Sequence, residues 1–105
     1  MNRWAQVRIT VLRKISAQDI FGDQVTEIVE DGYYNCRRTR VGMEFIVKED
    51  GIMPQGFCSN AWHDISPQVW TLQCGGDFPG MKKKGEYYCV CHDGVHPVLY
   101  KLERL

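Results

Sequence analysis

Residues 86–102, E-Y-Y-C-V-C-H-D-G-V-H-P-V-L-Y-K-L, read as two β-rich runs joined by Asp93-Gly94, the strongest short hairpin signal in the chain. A two-residue type I′ turn there pairs His92 with Val95, Cys91 with His96, Cys89 with Val98 and Tyr87 with Tyr100. Side chains alternate along a strand, so Tyr87, Cys89, Cys91, His96, Val98, Tyr100 and Leu102 share one face, the better core candidate. Glu86, Tyr88, Val90, His92, Pro97, Leu99 and Lys101 take the other. Pro97 has no N–H to give a ladder and marks the last strand as an edge or irregularly paired strand.

Upstream of the hairpin, Trp62, Ile65, Val69 and Leu72 recur at helical spacing. Ser66-Pro67 is a good N-cap and first-turn pair, so this segment is expected as two short helical turns or one kinked helix, stopped by Gly75-Gly76. Met43, Phe45 and Val47 alternate with Glu44, Ile46 and Lys48 as a strand ending at Glu49-Asp50-Gly51. Val7, Ile9 and Val11 give a second strand with a clear core face. Ser16 and Asp19 resemble a capping box before a short helix stopped by Gly22. In residues 24–40, V-T-E-I-V is strand-like, Glu30-Asp31-Gly32 is a turn and R-R-T-R is a solvated loop or edge. These elements predict an α+β fold: a small, mostly antiparallel sheet with a short or kinked helical segment between the central strand and the C-terminal hairpin. The 105 residues suffice for a single domain, 1–105, with residues 1–6 expected as an N-terminal extension.

Composition narrows the function classes. Thirteen basic residues balance thirteen acidic ones, which leaves no overall field to attract nucleic acid or an anionic membrane. Apolar residues at 44% and charged residues at 25% are ordinary for a globular chain. The N-terminal stretch carries no apolar h-region or cleavage site, and no run approaches the length of a membrane span. A cytoplasmic location is therefore expected, where the odd count of five cysteines means free thiols.

Which residues hold a site? Zinc sites want C-x₂₋₄-C or H-x₃₋₅-H knuckles, and only His92 with His96 matches half of one, on opposite faces of the expected hairpin. No metal or other cofactor is implied. Cys91 opposite His96 brings a thiol within reach of an imidazole, though free cysteine is also an ordinary core residue. Cys58, in Q-G-F-C-S-N-A-W, falls at the start of the helical segment, where backbone N–H groups favour an anion, unless Ser59 or Asn60 is the true cap. Cys74 is expected in the core. His63-Asp64 offers acid-base groups, but helix neighbours point about 100° apart and do not pair. G-G-D-F-P reads as a structural turn rather than an anion nest, and Lys82-Lys83-Lys84 as a solvated loop.

The ordered set G-F-C (56–58), A-W-H-D-I (61–65), G-G-D-F-P (75–79) and C-x-D-G-x-x-P-V (91–98), ending in L-Y-K-L-E-R, resembles a family of small single-domain prokaryotic proteins of unknown function. The resemblance spans Val7 to Leu105 and implies a prokaryotic source without an activity. Val90 and His92 stand where that family's C-C-T-D-G motif has cysteine and threonine, and Gly80 stands where it has an aromatic residue. The leading reading is a small-ligand or metal-binding protein whose pocket lies between the helical segment and the hairpin, using Cys58, His63, Cys91 and His96. The alternative is a non-catalytic protein-interaction module with core cysteines, and a thiol-dependent enzyme is the third. A homo-oligomer is compatible with all three.

Overall fold

Val7, Ile9 and Val11 are fully buried, as their alternation requires, and they centre strand β1 (Val7–Lys14) in the sheet. The structure is a computed structural model and describes residues 4–105. Strand β1 pairs antiparallel with β2 (Glu44–Val47) on one side and β4 (Val98–Arg104) on the other; β3 (Glu86–Val90) lies outside β4, giving the order β2-β1-β4-β3. Helix α3 (Ser59–Gln73), between β2 and β3, covers one face of this sheet. Its Ala61, Ile65, Val69 and Leu72 meet Val7, Ile9, Val47, Val98, Tyr100 and Leu102 in the main core. Burying each of the larger aliphatic side chains contributes about 1.5–3 kcal/mol. The opposite face carries the ion pairs Arg8–Glu103 at 3.2 Å and Lys101–Glu86 at 3.7 Å. The sheet is thus one-sided, the form open to antiparallel but not to purely parallel sheets. Among the described residues no helix is long and apolar enough to cross a membrane.

Helix α3 runs unbroken through Pro67 instead of restarting there. Ile65, Val69 and Leu72 on either side of the proline are all fully buried, and that shared packing outweighs the local cost of about 3 kcal/mol. At the far end, Gly75 takes φ +90° and its N–H reaches Leu72 O at 3.0 Å, closing the helix. Arg104 adds hydrogen bonds to Leu72 O (3.2 Å) and Gly76 O (2.7 Å) and an ion pair to Asp77 at 3.0 Å. The Asp77 carboxylate also accepts from Gly85 N at 2.6 Å, and that bond, then Arg104, holds it below the usual carboxylate range. G-G-D-F-P is therefore a helix stop, as its sequence suggests.

Helix α1 (Ala17–Phe21) starts at Ser16, whose Oγ accepts from Gln18 N at 3.1 Å, and ends at Gly22 as expected. A 3₁₀ turn (Gly22–Gln24) leads into α2 (Val25–Ile28), where a strand-like segment was expected. Val25 and Val29, four residues apart, bury together with Ala17 in a satellite cluster against Phe21, Tyr34 and Val95. That i,i+4 contact can be made only by a helical turn, so tertiary packing overrides β propensity. Of residues 1–6, expected as an extension, 1–3 lie outside the described residues. Ala5 and Gln6 are bound into the body: Gln73 Nε2 donates to Ala5 O (3.0 Å) and Lys48 O (2.7 Å), and Leu105 N donates to Gln6 O (2.9 Å).

The hairpin register differs from the expected one by two residues. Cys89 pairs with Tyr100, Tyr87 with Leu102 and Val90 with Leu99, and Cys91 N donates to Val98 O at 3.2 Å. Cys91 therefore faces Val98, not His96. Gly94 does not take a positive φ, so Asp93-Gly94 is not a type I′ turn. Instead Asp93 Oδ1 accepts from Val95 N (2.8 Å) and His96 N (3.1 Å), folding residues 92–97 into a wider loop around one carboxylate. A slip of two preserves every face, so Val98, Tyr100 and Leu102 remain buried as expected. Strand β4 is central rather than an edge; Pro97 lies just before it, where its missing N–H interrupts no ladder, and its carbonyl accepts from Ile15 N at 2.9 Å.

Candidate functional site

Three separately encoded segments close around one cavity of about 340 Å³. The first wall is the start of α3. Phe57 is buried against Phe45 (5.0 Å), Tyr100 (5.4 Å) and Trp62 (6.1 Å), and its contact with Trp62 across the helix start is a hydrophobic staple that fixes the entering chain. Cys58 is thereby the N-cap itself, in extended conformation, with its carbonyl accepting from Trp62 N at 2.9 Å. Its side chain makes no capping bond, and the N–H groups of Ser59, Asn60 and Ala61 have no acceptor within the helix. Arg38 Nη1 lies 4.0 Å from Cys58 Sγ.

The second wall is the irregular segment between α2 and β2. A β-bulge at Leu12 adds one residue to β1, so that Lys14 pairs with Val98 and shares its face. Lys14 Nζ then donates to Thr39 O at 3.0 Å, while Ala17 N donates to Tyr34 O at 2.8 Å, and the segment is held at both ends. Thr39 Oγ1 donates to Cys36 Sγ at 3.8 Å. Arg37 donates to Gly32 O at 2.7 Å and lies 4.3 Å from the Tyr33 ring centre, which keeps its guanidinium at the rim.

The hairpin loop is the third wall. Cys91 Sγ accepts from Val98 N at 3.3 Å. Asp64, about one and a half turns past the helix start, reaches across with Oδ2 to His92 N at 2.7 Å and to His92 Nδ1 at 2.6 Å. The Asp64 side chain is only 17% exposed, while His92 is 62% exposed. A second imidazole, His96, has Nδ1 3.0 Å from Asp93 Oδ2. Partial burial opposes ionisation of Asp93, but the N–H groups of His96 and Val95 outweigh it and hold the carboxyl below its usual range. Val98 and Tyr100 form the floor. Burial, followed by the nearby Cys91, Cys58 and Cys36 thiols, raises the Tyr100 phenol well above its ordinary value.

Of the four residues the sequence singled out, Cys58, Cys91 and His96 line this cavity. His63 is exposed and not part of its lining. Its neighbour Asp64 is the residue that engages an imidazole, and the partner is His92. Sequence reasoning also missed Cys36 and Arg38, which sit in a stretch without periodicity. The other two cysteines stand apart. Cys89 packs against the core, where burial pushes its thiol up to about 11. Cys74, expected in the core, is exposed at the C-cap of α3, because the helix stripe of Ile65, Val69 and Leu72 turns it outward. All five cysteines are free thiols. Among the described residues no group of three or more Cys, His, Asp or Glu side chains is arranged to hold a metal ion. No protein-family model, curated protein or solved structure matches the chain, so the chemistry of the site is argued from its own residues.

Proposed function

We propose that this protein binds a small polar molecule in the cavity between α3, the Tyr33–Thr39 segment and the hairpin loop. The observation that carries this reading is the convergence there of three of the five cysteines with Arg38 and two carboxylate-paired histidines, from three stretches distant in sequence. A cavity of about 340 Å³ is at the lower end of small-ligand sites. Arg37, Arg38 and the unfilled N–H groups of the first turn of α3 favour a ligand with an anionic or strongly polarised group. The free thiols support a reducing, cytoplasmic setting, and the motif resemblance supports a prokaryotic source.

One observation favours the interaction-module reading: Leu12, Ile46, Tyr88 and Val90 are exposed on the sheet face that α3 leaves uncovered. Titrating ¹⁵N-labelled protein with a set of small carboxylates separates the two. Saturable shifts confined to residues 36–39, 58–61 and 91–96 support the cavity as the binding site. Absence of shifts with every carboxylate, or shifts clustered on β1, β2 and β3 at the open sheet face, overturns it.

A further inference from the structure

We infer that the sheet face left uncovered by α3 pairs with the same face of a second copy of this chain, about a two-fold axis that runs along the strands between β1 and β4. The strand register fixes what this face presents. At one end Ile46, Arg8, Glu103 and Glu86 lie side by side across β2, β1, β4 and β3, and the next outward row is Glu44, Thr10, Lys101 and Tyr88. At the other end Leu99 adjoins Val90 and pairs with Arg13 beside the bulged Leu12, and both Leu12 and Val90 are exposed. The face is thus charged at one end and apolar at the other.

That layout is self-complementary about one in-plane axis only. An axis across the strands lays the apolar end of one copy on the ion pairs of the other, leaving charges buried against apolar groups. An axis along the strands keeps each row on its own counterpart while exchanging β1 with β4 and β2 with β3. Arg8 and Glu103, 3.2 Å apart within one chain, then meet the same pair reversed, a ring of alternating charge. Leu12 meets Leu99 at the apolar end, where Arg13 is long enough to carry its guanidinium to the rim. Sheets packed face to face stay within about 30° of alignment, so contact concentrates on β1 and β4 while the corners with Ile46 and Glu86 splay apart.

A second observation, at the sheet edge, fits the same axis. A cavity of about 460 Å³ beside β3 has Lys82, Lys83, Lys101, Glu86 and Tyr88 in its lining, three cations against one carboxylate. Glu44 is exposed on β2 and makes no ion pair among the described residues, and neither do Lys82 and Lys83. The axis lays β2 of one copy over β3 of the other and Glu44 over Tyr88. Each copy's unpaired carboxylate therefore enters the lysine-lined cleft of the other. Four strands about 4.8 Å apart, the longest of eight residues, present about 500 Å² per copy, or about 1,000 Å² in total. That is the lower limit for a specific interface, so a dissociation constant of about 10–500 µM is expected. Helix α3 and the ligand cavity lie on the other face, and the pairing neither needs nor blocks them.

Sedimentation equilibrium of the full chain, from about 10 µM to about 1 mM, should show reversible dimerisation that weakens as salt is added. Arg8→Glu and Glu103→Arg should each weaken it by about tenfold or more, because like charges then face one another. Mixed in equal amounts the two variants should dimerise again, since the all-acidic site of one meets the all-basic site of the other. Loss of the intrachain ion pair alone cannot produce that recovery. Glu44→Lys, outside every intrachain ion pair, should keep the wild-type circular dichroism spectrum and weaken the dimer by about tenfold. His63→Ala, exposed on α3, should leave it unchanged. A chain that stays monomeric at about 1 mM overturns the inference and leaves the face to a partner of another kind. A dimer unaffected by Arg8→Glu and Glu44→Lys, or two folded charge-reversal variants that do not associate on mixing, overturns it as well.

Discussion

Replacing Asp93 with alanine tests how the hairpin loop is built, and with it one wall of the cavity. Asp93 Oδ1 accepts from Val95 N at 2.8 Å and His96 N at 3.1 Å, and Oδ2 lies 3.0 Å from His96 Nδ1. Hydrogen bonds to a charged acceptor contribute about 1.5–3 kcal/mol each when buried. Here the carboxylate is 38% exposed, so water replaces part of what is lost. The expected cost of Asp93→Ala at neutral pH is about 1–2 kcal/mol in total, a fall in Tm of about 5–12 °C for a domain of this size. Asp93→Asn keeps an amide oxygen to accept and should lose about half as much. The pH dependence has a definite sign. The carboxyl is held below its ordinary value of 3.8, so its contribution is fully present above that value and is lost as pH falls through the lower folded value. The stability gap between wild type and Asp93→Ala should therefore be full at neutral pH and narrow as the pH falls below 3.8. Thermal unfolding followed by circular dichroism across that range measures it. An alanine variant as stable as wild type at neutral pH, or a gap that does not narrow in acid, refutes the carboxylate-built loop.

Other consequences are equally direct. Ile65→Ala, at a fully buried position between helix and sheet, should cost about 2–5 kcal/mol in urea unfolding, and a loss under about 1 kcal/mol would mean that α3 does not pack as described. Gly51 takes φ +70°, and a Cβ there would come within 2.7 Å of the Trp4 ring; Gly51→Ala should therefore lower Tm measurably, whereas an unchanged Tm contradicts that close approach. Burial raises the Cys89 thiol from 9.0 to about 11, so its contribution to stability is intact below pH 9 and is lost as pH rises through the folded value. Denaturant titrations should show wild type and Cys89→Ala converging in that alkaline range. Lys14→Met removes the bond to Thr39 O, and iodoacetamide with mass mapping should then modify Cys36 several-fold faster; equal rates would show that the segment is held by other contacts.

The alternation of Val7, Ile9 and Val11, the stripe Ile65, Val69 and Leu72, and the hairpin signal around residue 93 already specify an α+β chain with a helix on one face of an antiparallel sheet. Those patterns are local: a period of two or of 3.6 is written into neighbouring residues and survives a register slip of two. The start of the helix near Cys58 was legible for the same reason, but the choice of Cys58 over Ser59 or Asn60 as the cap came from the packing of Phe57 against Trp62. What the chain could not show locally was which distant segments meet. The bulge at Leu12 shifts β1 against β4 by one residue and sends Lys14 to hold the segment that brings Cys36 and Arg38 to the cavity. The Asp93 loop replaces a type I′ turn because its carboxylate has two backbone N–H groups to accept and because Val95 gains a place in the satellite core. Asp64 meets His92 rather than its neighbour His63 because adjacent helical side chains diverge while the hairpin loop folds back over the helix. Each of these depends on long-range packing and on the pairing of single polar groups, which no hydrophobic period encodes; the frame of the protein is therefore a property of its sequence pattern, and the composition of its cavity is a property of its tertiary structure.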